Sequence, residues 1–147
     1  MQLKGSETIQ APREKVWEHL TNPEFVAQCA PGLESLEIVQ PDKKFKVVAS
    51  VGLGNIKARF TGDVEWVELD PPNLAKVKGH GTAPGSAGDV VSQMALSDGP
   101  DGSTVLDWEA EVSITGTIAS LAARMMGSVT QKLSAQFFKC VKDKIEE

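Results

Sequence analysis

One stretch constrains this chain more than any other: from Thr117 to about Ile145 the apolar residues recur at helical spacing without interruption. Ile118, Leu121, Ala122, Met125, Val129, Leu133, Phe137, Cys140 and Val141 follow one another at three- and four-residue steps and fall in one stripe. Ser120, Gln131, Lys132, Lys139 and Lys142 take the other side. Thr117 is the expected N-cap, and the late lysines suit the negative end of the helix dipole. Such a helix is roughly 40 Å long at about 1.5 Å per residue. A sheet of six or seven strands about 4.8 Å apart spans roughly 30 Å. One helix therefore suffices to cover the concave face of a bent sheet, and the space between the two is the candidate site.

The chain before this helix reads mostly as strands. Leu3, Gly5, Glu7 and Ile9 alternate with polar residues, so the opening segment is an expected strand, with Glu7 placed near the sheet rim where it reaches water. A helix is expected from about Pro12, burying Val16, Trp17 and Leu20, and a second over Pro23 to Gln28 with Phe25 and Val26. Cys29-Ala30-Pro31-Gly32 turns the chain. Extended runs then follow over Leu33–Val39, Phe45–Leu53, Ile56–Leu69, Leu74–Ala83, Ala87–Leu96 and Thr104–Thr115. Their connections are Pro41-Asp42-Lys43, Gly54-Asn55, Asp70-Pro71-Pro72-Asn73, Pro84-Gly85-Ser86 and Ser97 to Gly102. One strand, two short helices, six strands and one long helix make an α+β chain, and the short connections argue for an antiparallel meander.

Several function classes are excluded at this point. With 147 residues the chain is long enough for one domain, taken as 1–147. Fifteen Lys and Arg against twenty Asp and Glu give a net charge of −5, and no basic stripe is interleaved with aromatics, so no nucleic-acid partner is expected. No run of about 18 apolar residues is present to cross a membrane. Met1–Gln10 lacks the apolar core of a signal peptide, so a cytoplasmic location is expected. Cys29 and Cys140 stand far apart without C-x-x-C spacing and are expected to be free thiols. Gly52-Leu53-Gly54 lacks the further glycine and helix of a dinucleotide fingerprint.

The order and the residues together resemble the CoxG family, the G-type subunits of carbon monoxide dehydrogenase, within the START/Bet v 1-like (SRPBCC) superfamily. The resemblance rests on Ala11-Pro12, Val16-Trp17, Leu20, Pro23, Cys29-Ala30-Pro31-Gly32, Leu36-Glu37, Gly52-Leu53-Gly54, Ile56-Lys57, Phe60-Thr61-Gly62, Asp70-Pro71-Pro72 and Gly79-His80-Gly81. Its most specific part is the Cys-x-Pro-Gly turn after an Ala-Pro-initiated helix. It implies a helix-grip fold, a strongly bent antiparallel sheet of about seven strands wrapped around the C-terminal helix. It also implies a non-catalytic accessory protein of a carbon monoxide dehydrogenase-type molybdenum hydroxylase, acting in maturation or recruitment. The superfamily binds apolar ligands beneath its long helix, so a lipophilic ligand, quinone- or lipid-like, is the expected partner. Many members carry an extension that engages membranes, which keeps peripheral membrane contact among the expectations.

For the ligand wall the large apolar groups on inward faces are Phe25, Val47, Trp66, Met94, Trp108, Met125, Val129 and Leu133. Neither a cofactor nor a metal is expected, since His19 and His80 have no carboxylates in ligand spacing. His19 is expected on a solvated helix face and His80 at the surface or rim, while Asp107, Glu109 and Glu111 share an outer strand face. Two other readings compete with the carrier: a protein-interaction module with a filled core, and a cyclase or hydratase using Glu7, Asp89 or His80.

Overall fold

Alternation along the strands and the stripe on the closing segment produce the expected order of elements. The computed structural model describes residues 1–41 and 43–146. Strand β1 (Gln2–Ile9) leads to helices α1 (Arg13–Leu20) and α2 (Pro23–Cys29). The meander β2 (Leu33–Gln40), β3 (Lys44–Leu53), β4 (Ile56–Asp70), β5 (Leu74–Ala83), β6 (Ser86–Asp98) and β7 (Thr104–Gly116) follows, and α3 (Ala119–Ile145) closes the chain. All seven strands form one antiparallel sheet in the order β1-β7-β6-β5-β4-β3-β2. β1 therefore joins the far side of the meander, beside β7. Of the expected connection Pro41-Asp42-Lys43, Asp42 lies outside the described residues.

Local chemistry sets the element ends. Asn22 caps α2 by accepting the Glu24 amide at 3.0 Å, with Pro23 in the first helical turn. Gly32 adopts φ +81°, and a Cβ there would stand 2.2 Å from the Ser50 carbonyl oxygen. The same residue's carbonyl accepts the Ser50 amide at 2.8 Å. The Pro-Gly pair thus lets the chain turn from α2 and run directly against β3.

The start of α3 differs from expectation. Ile118, not Thr117, occupies the cap position, with no side-chain cap of its own. Thr117 instead donates its amide to Gly85 at 3.0 Å, and its hydroxyl lies 3.2 Å from Ser86 Oγ. Ser86 Oγ in turn accepts the Ile118 amide at 3.4 Å. The orphan amide of the helix start is met by the neighbouring β5–β6 hairpin, a long-range contact that spacing along the chain does not show.

Two further expectations are corrected. Cys29 and Cys140 are not free: they form a disulfide, with their Cα atoms 5.4 Å apart across 111 residues of sequence. The fold brings the end of α2 alongside the last turns of α3, which is invisible in the spacing of the two residues. His19 is not on a solvated face. It is half-buried, edge-on to Phe25 with ring centroids 4.8 Å apart, and its Nδ1 donates to the Lys15 carbonyl at 2.7 Å.

The core gathers at one end of the concave face. Ile9, Val16, Leu20, Phe25, Leu96 and Leu106 are buried there with Phe138, Val141 and Ile145 of α3. Glu7 sits on the edge strand beside this core and reaches water. It is about one-third exposed and its carboxylate stands 2.8 Å from Lys142 Nζ of α3. Edge strand and closing helix are thereby joined by an ion pair as well as by apolar packing.

Candidate functional site

Side chains alternate across each strand, so the concave face is lined by the even positions of β6 and β7 and the odd positions of β5. Away from the core these positions are small. Gly62, Gly81 and Gly88 stand in one cross-strand row, ending on Ile114 of β7, and Gly79 lies one level along with Val64, Val90 and Val112. The missing side chains leave an apolar hollow of about 270 Å³ on this floor, walled by Val47, Phe60 and Ile114. Cβ atoms on Gly81 and Gly88 would meet only Phe60 and ordinary neighbours at 3.5 Å or more.

A second hollow, of about 420 Å³, lies further along the same face, between β6, β7, the α2–β2 connection and α3. Met94, Leu106 and Trp108 form its floor, Ala30 and Pro31 one lip, and Leu133 and Phe137 of α3 the other. Trp108 stands opposite Gly5 on β1, and a Cβ at Gly5 would come within 2.7 Å of its Nε1. The glycine gives the indole its place across the edge strand. Every side chain lining this hollow is neutral; Ser92, Gln93, Thr130 and Ser134 supply the polar atoms. Ser92 already donates to the Glu109 carbonyl at 3.1 Å, and Ser134 to the Gln131 carbonyl at 3.3 Å.

Of the eight side chains expected on a ligand wall, Met94, Trp108 and Leu133 come together in the larger hollow and Val47 borders the glycine-floored one. Phe25 is buried in the core against His19 instead. Trp66 is half-buried at a register shift in β4 and borders neither hollow. Met125 packs over the β3–β4 turn, its sulfur 3.4 Å from where a Gly54 Cβ would lie, and Val129 also borders neither hollow. Sequence reasoning missed Phe60, Gly62, Gly88, Ile114 and Phe138. The signal that finds the strand residues is the cross-strand register, which aligns glycines scattered over three strands into one floor; Phe138 lies on α3, next to Phe137 of the expected stripe.

The groups considered for acid–base work lie elsewhere. His80 and Asp89 are cross-strand partners on the outer face, both more than half exposed, with Nδ1 and Oδ1 2.7 Å apart. They stand behind the glycine floor and also border the smaller hollow, while neither borders the larger one. On the same outer face Glu34 of β2 accepts from Ser50 Oγ and from Arg59 Nε, the latter at 3.1 Å. The Ser50 hydrogen bond and then the Arg59 guanidinium hold its carboxyl below the usual value. Among the described residues no three His, Cys, Asp or Glu side chains come together to hold a metal ion, and no helix is long and apolar enough to cross a membrane.

Comparison with known proteins decides the family. The family model for CoxG, the G-type subunit of carbon monoxide dehydrogenase, matches residues 5–146. The chain belongs to the CoxG family. A conserved protein from Geobacillus kaustophilus has the same fold at a TM-score of 0.90 and 25% identity, with 99% of this chain and 95% of that one covered. The Zhui aromatase/cyclase from Streptomyces sp. R1128 follows at 0.76 and 19%, covering 99% and 93%. TTHA0849 from Thermus thermophilus aligns at 0.70 and 15%, covering 99% and 97%. No curated protein matches. Ara h 8.0201 shares the helix-grip fold as well, at a TM-score of 0.65 and 18% identity, covering 99% of this CoxG chain and 97% of that one.

Proposed function

We propose that this CoxG protein is a non-catalytic carrier that takes a lipophilic molecule, quinone- or lipid-like, into the hollow beneath α3. In this reading it serves a carbon monoxide dehydrogenase-type molybdenum hydroxylase in the cytoplasm, in maturation or recruitment. The observation that carries the proposal is the character of the larger hollow: about 420 Å³, floored by Met94, Leu106 and Trp108, and without an ionisable side chain in its wall. An uncharged wall favours an apolar occupant and disfavours a charged one, which would lose hydration without a partner. A ligand burying on the order of 200 Å² of apolar surface gains about 5 kcal/mol at about 25 cal/mol per Å², before the cost of association. The indole of Trp108 adds a flat face and one donor for a ring with a polar substituent.

Native mass spectrometry of protein isolated gently from its own source, followed by solvent extraction, tests this directly. The expected result is a stoichiometric lipophilic species that leaves on extraction. Protein that comes away empty, and binds no added lipid or quinone after delipidation, overturns the carrier reading. Empty protein tightly held by a molybdenum hydroxylase would instead make it a docking module.

A further inference from the structure

We infer that the Cys29–Cys140 pair is a thiol-operated latch on the larger hollow, closed as the disulfide and released by a dithiol reductant. The inference rests on the carrier reading for its purpose, but its mechanics stand on the placement of the two cysteines. Cys29 is the last residue of α2 and precedes Ala30 and Pro31, which form one lip of the hollow. Cys140 lies one helical turn beyond Phe137, which forms the other. The bond therefore ties the two lips together at their edge. The bridge fixes how far the end of α2 stands from α3, so in the closed state the lips cannot part further to admit or release a molecule that fills the hollow.

The chemistry is available to a common class of reductant. Cys29 is buried, whereas Cys140 is half-buried and thus the sulfur an incoming thiolate reaches. Attack on Cys140 Sγ breaks the bridge, expels Cys29 as a thiolate that takes up a proton, and forms a mixed disulfide. The second thiol of the reductant then displaces Cys140, leaving two thiols on the chain and one disulfide on the reductant. In a cytoplasm, where such dithiols keep most cysteines reduced, the latch is open by default and closes on oxidation. Ligand exchange is fast in the open state and slow in the closed one.

Two measurements on the whole chain test this, one with and one without a ligand. Stopped-flow fluorescence with the neutral probe N-phenyl-1-naphthylamine compares the oxidised protein with the same protein in dithiothreitol, alongside Cys140→Ser and Cys29→Ser. Reduction is expected to raise both association and dissociation rates roughly tenfold, on the scale of a local opening. Both variants should show the fast rates with or without reductant. Hydrogen exchange at the amides of residues 26–30 should quicken in parallel on reduction, while the amides of β6 and β7 stay unchanged. Equal exchange of the α2 amides in both redox states overturns the latch. So do equal probe rates in both states. A probe that binds neither form counts against the carrier reading, and the exchange result still decides the latch.

Discussion

The concave face has a packed end and a glycine-floored end, both drawing on β6 and β7, and only the first is packed against the closing helix. At the filled end Ile9, Leu96 and Leu106 meet Phe138, Val141 and Ile145, all at most 6% exposed. At the other end Gly62, Gly79, Gly81 and Gly88 face Phe60, Val90 and Ile114 across an open hollow. The difference is not in strand pairing, since the β5–β6 and β6–β7 ladders run unbroken through both. Stability is thus concentrated where α1, α2 and the end of α3 converge, and the remaining sheet is free to keep a void.

Substitutions at the filled end should therefore show the largest effects. Ile9 is fully buried in the apolar core, so Ile9→Ala is expected to cost about 2–5 kcal/mol in a denaturant titration. A loss well under about 1 kcal/mol would mean that the supposed anchor is not one. Gly32→Ala tests the turn that feeds this end. The new Cβ would stand at φ +81° and meet the Ser50 carbonyl, so a loss of about 1–3 kcal/mol is expected from the same titration. Full stability in Gly32→Ala would show that the Cys-x-Pro-Gly turn is not held by this close approach.

The order of elements was legible because alternation and helical spacing are local signals that survive in a single sequence. The stripe on α3 marked Val141 and Phe137, and alternation on β7 marked Leu106 and Trp108, on the faces that turn inward. What was hidden depends on partners distant in the chain. Nothing near Thr117 tells that Ser86 meets the helix start, nor does anything near Cys29 point to Cys140. The site was half legible for the same reason. Large apolar residues such as Trp66 and Val129 drew attention, whereas the hollow is made partly by absent side chains. Gly79-His80-Gly81 entered through the family resemblance, and Gly62 and Gly88 join it only through the register of β4, β5 and β6.

The open end is sharpened by filling it. Gly88 has no close neighbour, its nearest prospective contacts being Phe60, Ser113 and Ile114 at 3.8–3.9 Å. Gly88→Leu should therefore change stability by less than about 1 kcal/mol, far below the cost of overpacking a closed core. The same substitution should weaken binding of the neutral probe N-phenyl-1-naphthylamine about tenfold if a ligand extends over the glycine floor, a loss of about 1.4 kcal/mol. Unchanged probe affinity in a folded Gly88→Leu variant would confine binding to the larger hollow beside Trp108.

The smallest effect is expected on the outside of the open end, where the β2–β3–β4 edge has little core behind it. There Glu34 fastens three strands by accepting from Ser50 on β3 and Arg59 on β4. These partners favour the ionised carboxylate and lower its pKa in the folded chain. The sign follows from linkage. The depressed folded pKa gives stability that is complete above the unfolded value near 4.5 and is lost as pH falls through the folded pKa. Glu34→Gln should accordingly lower stability slightly at neutral pH, with the gap to the wild type closing on acidification. Because the carboxylate is exposed, added salt should narrow the gap as well. Urea titrations of both proteins across the acid range measure it. A gap that widens toward low pH would show that the edge is held by the shape of the side chain and not by its charge.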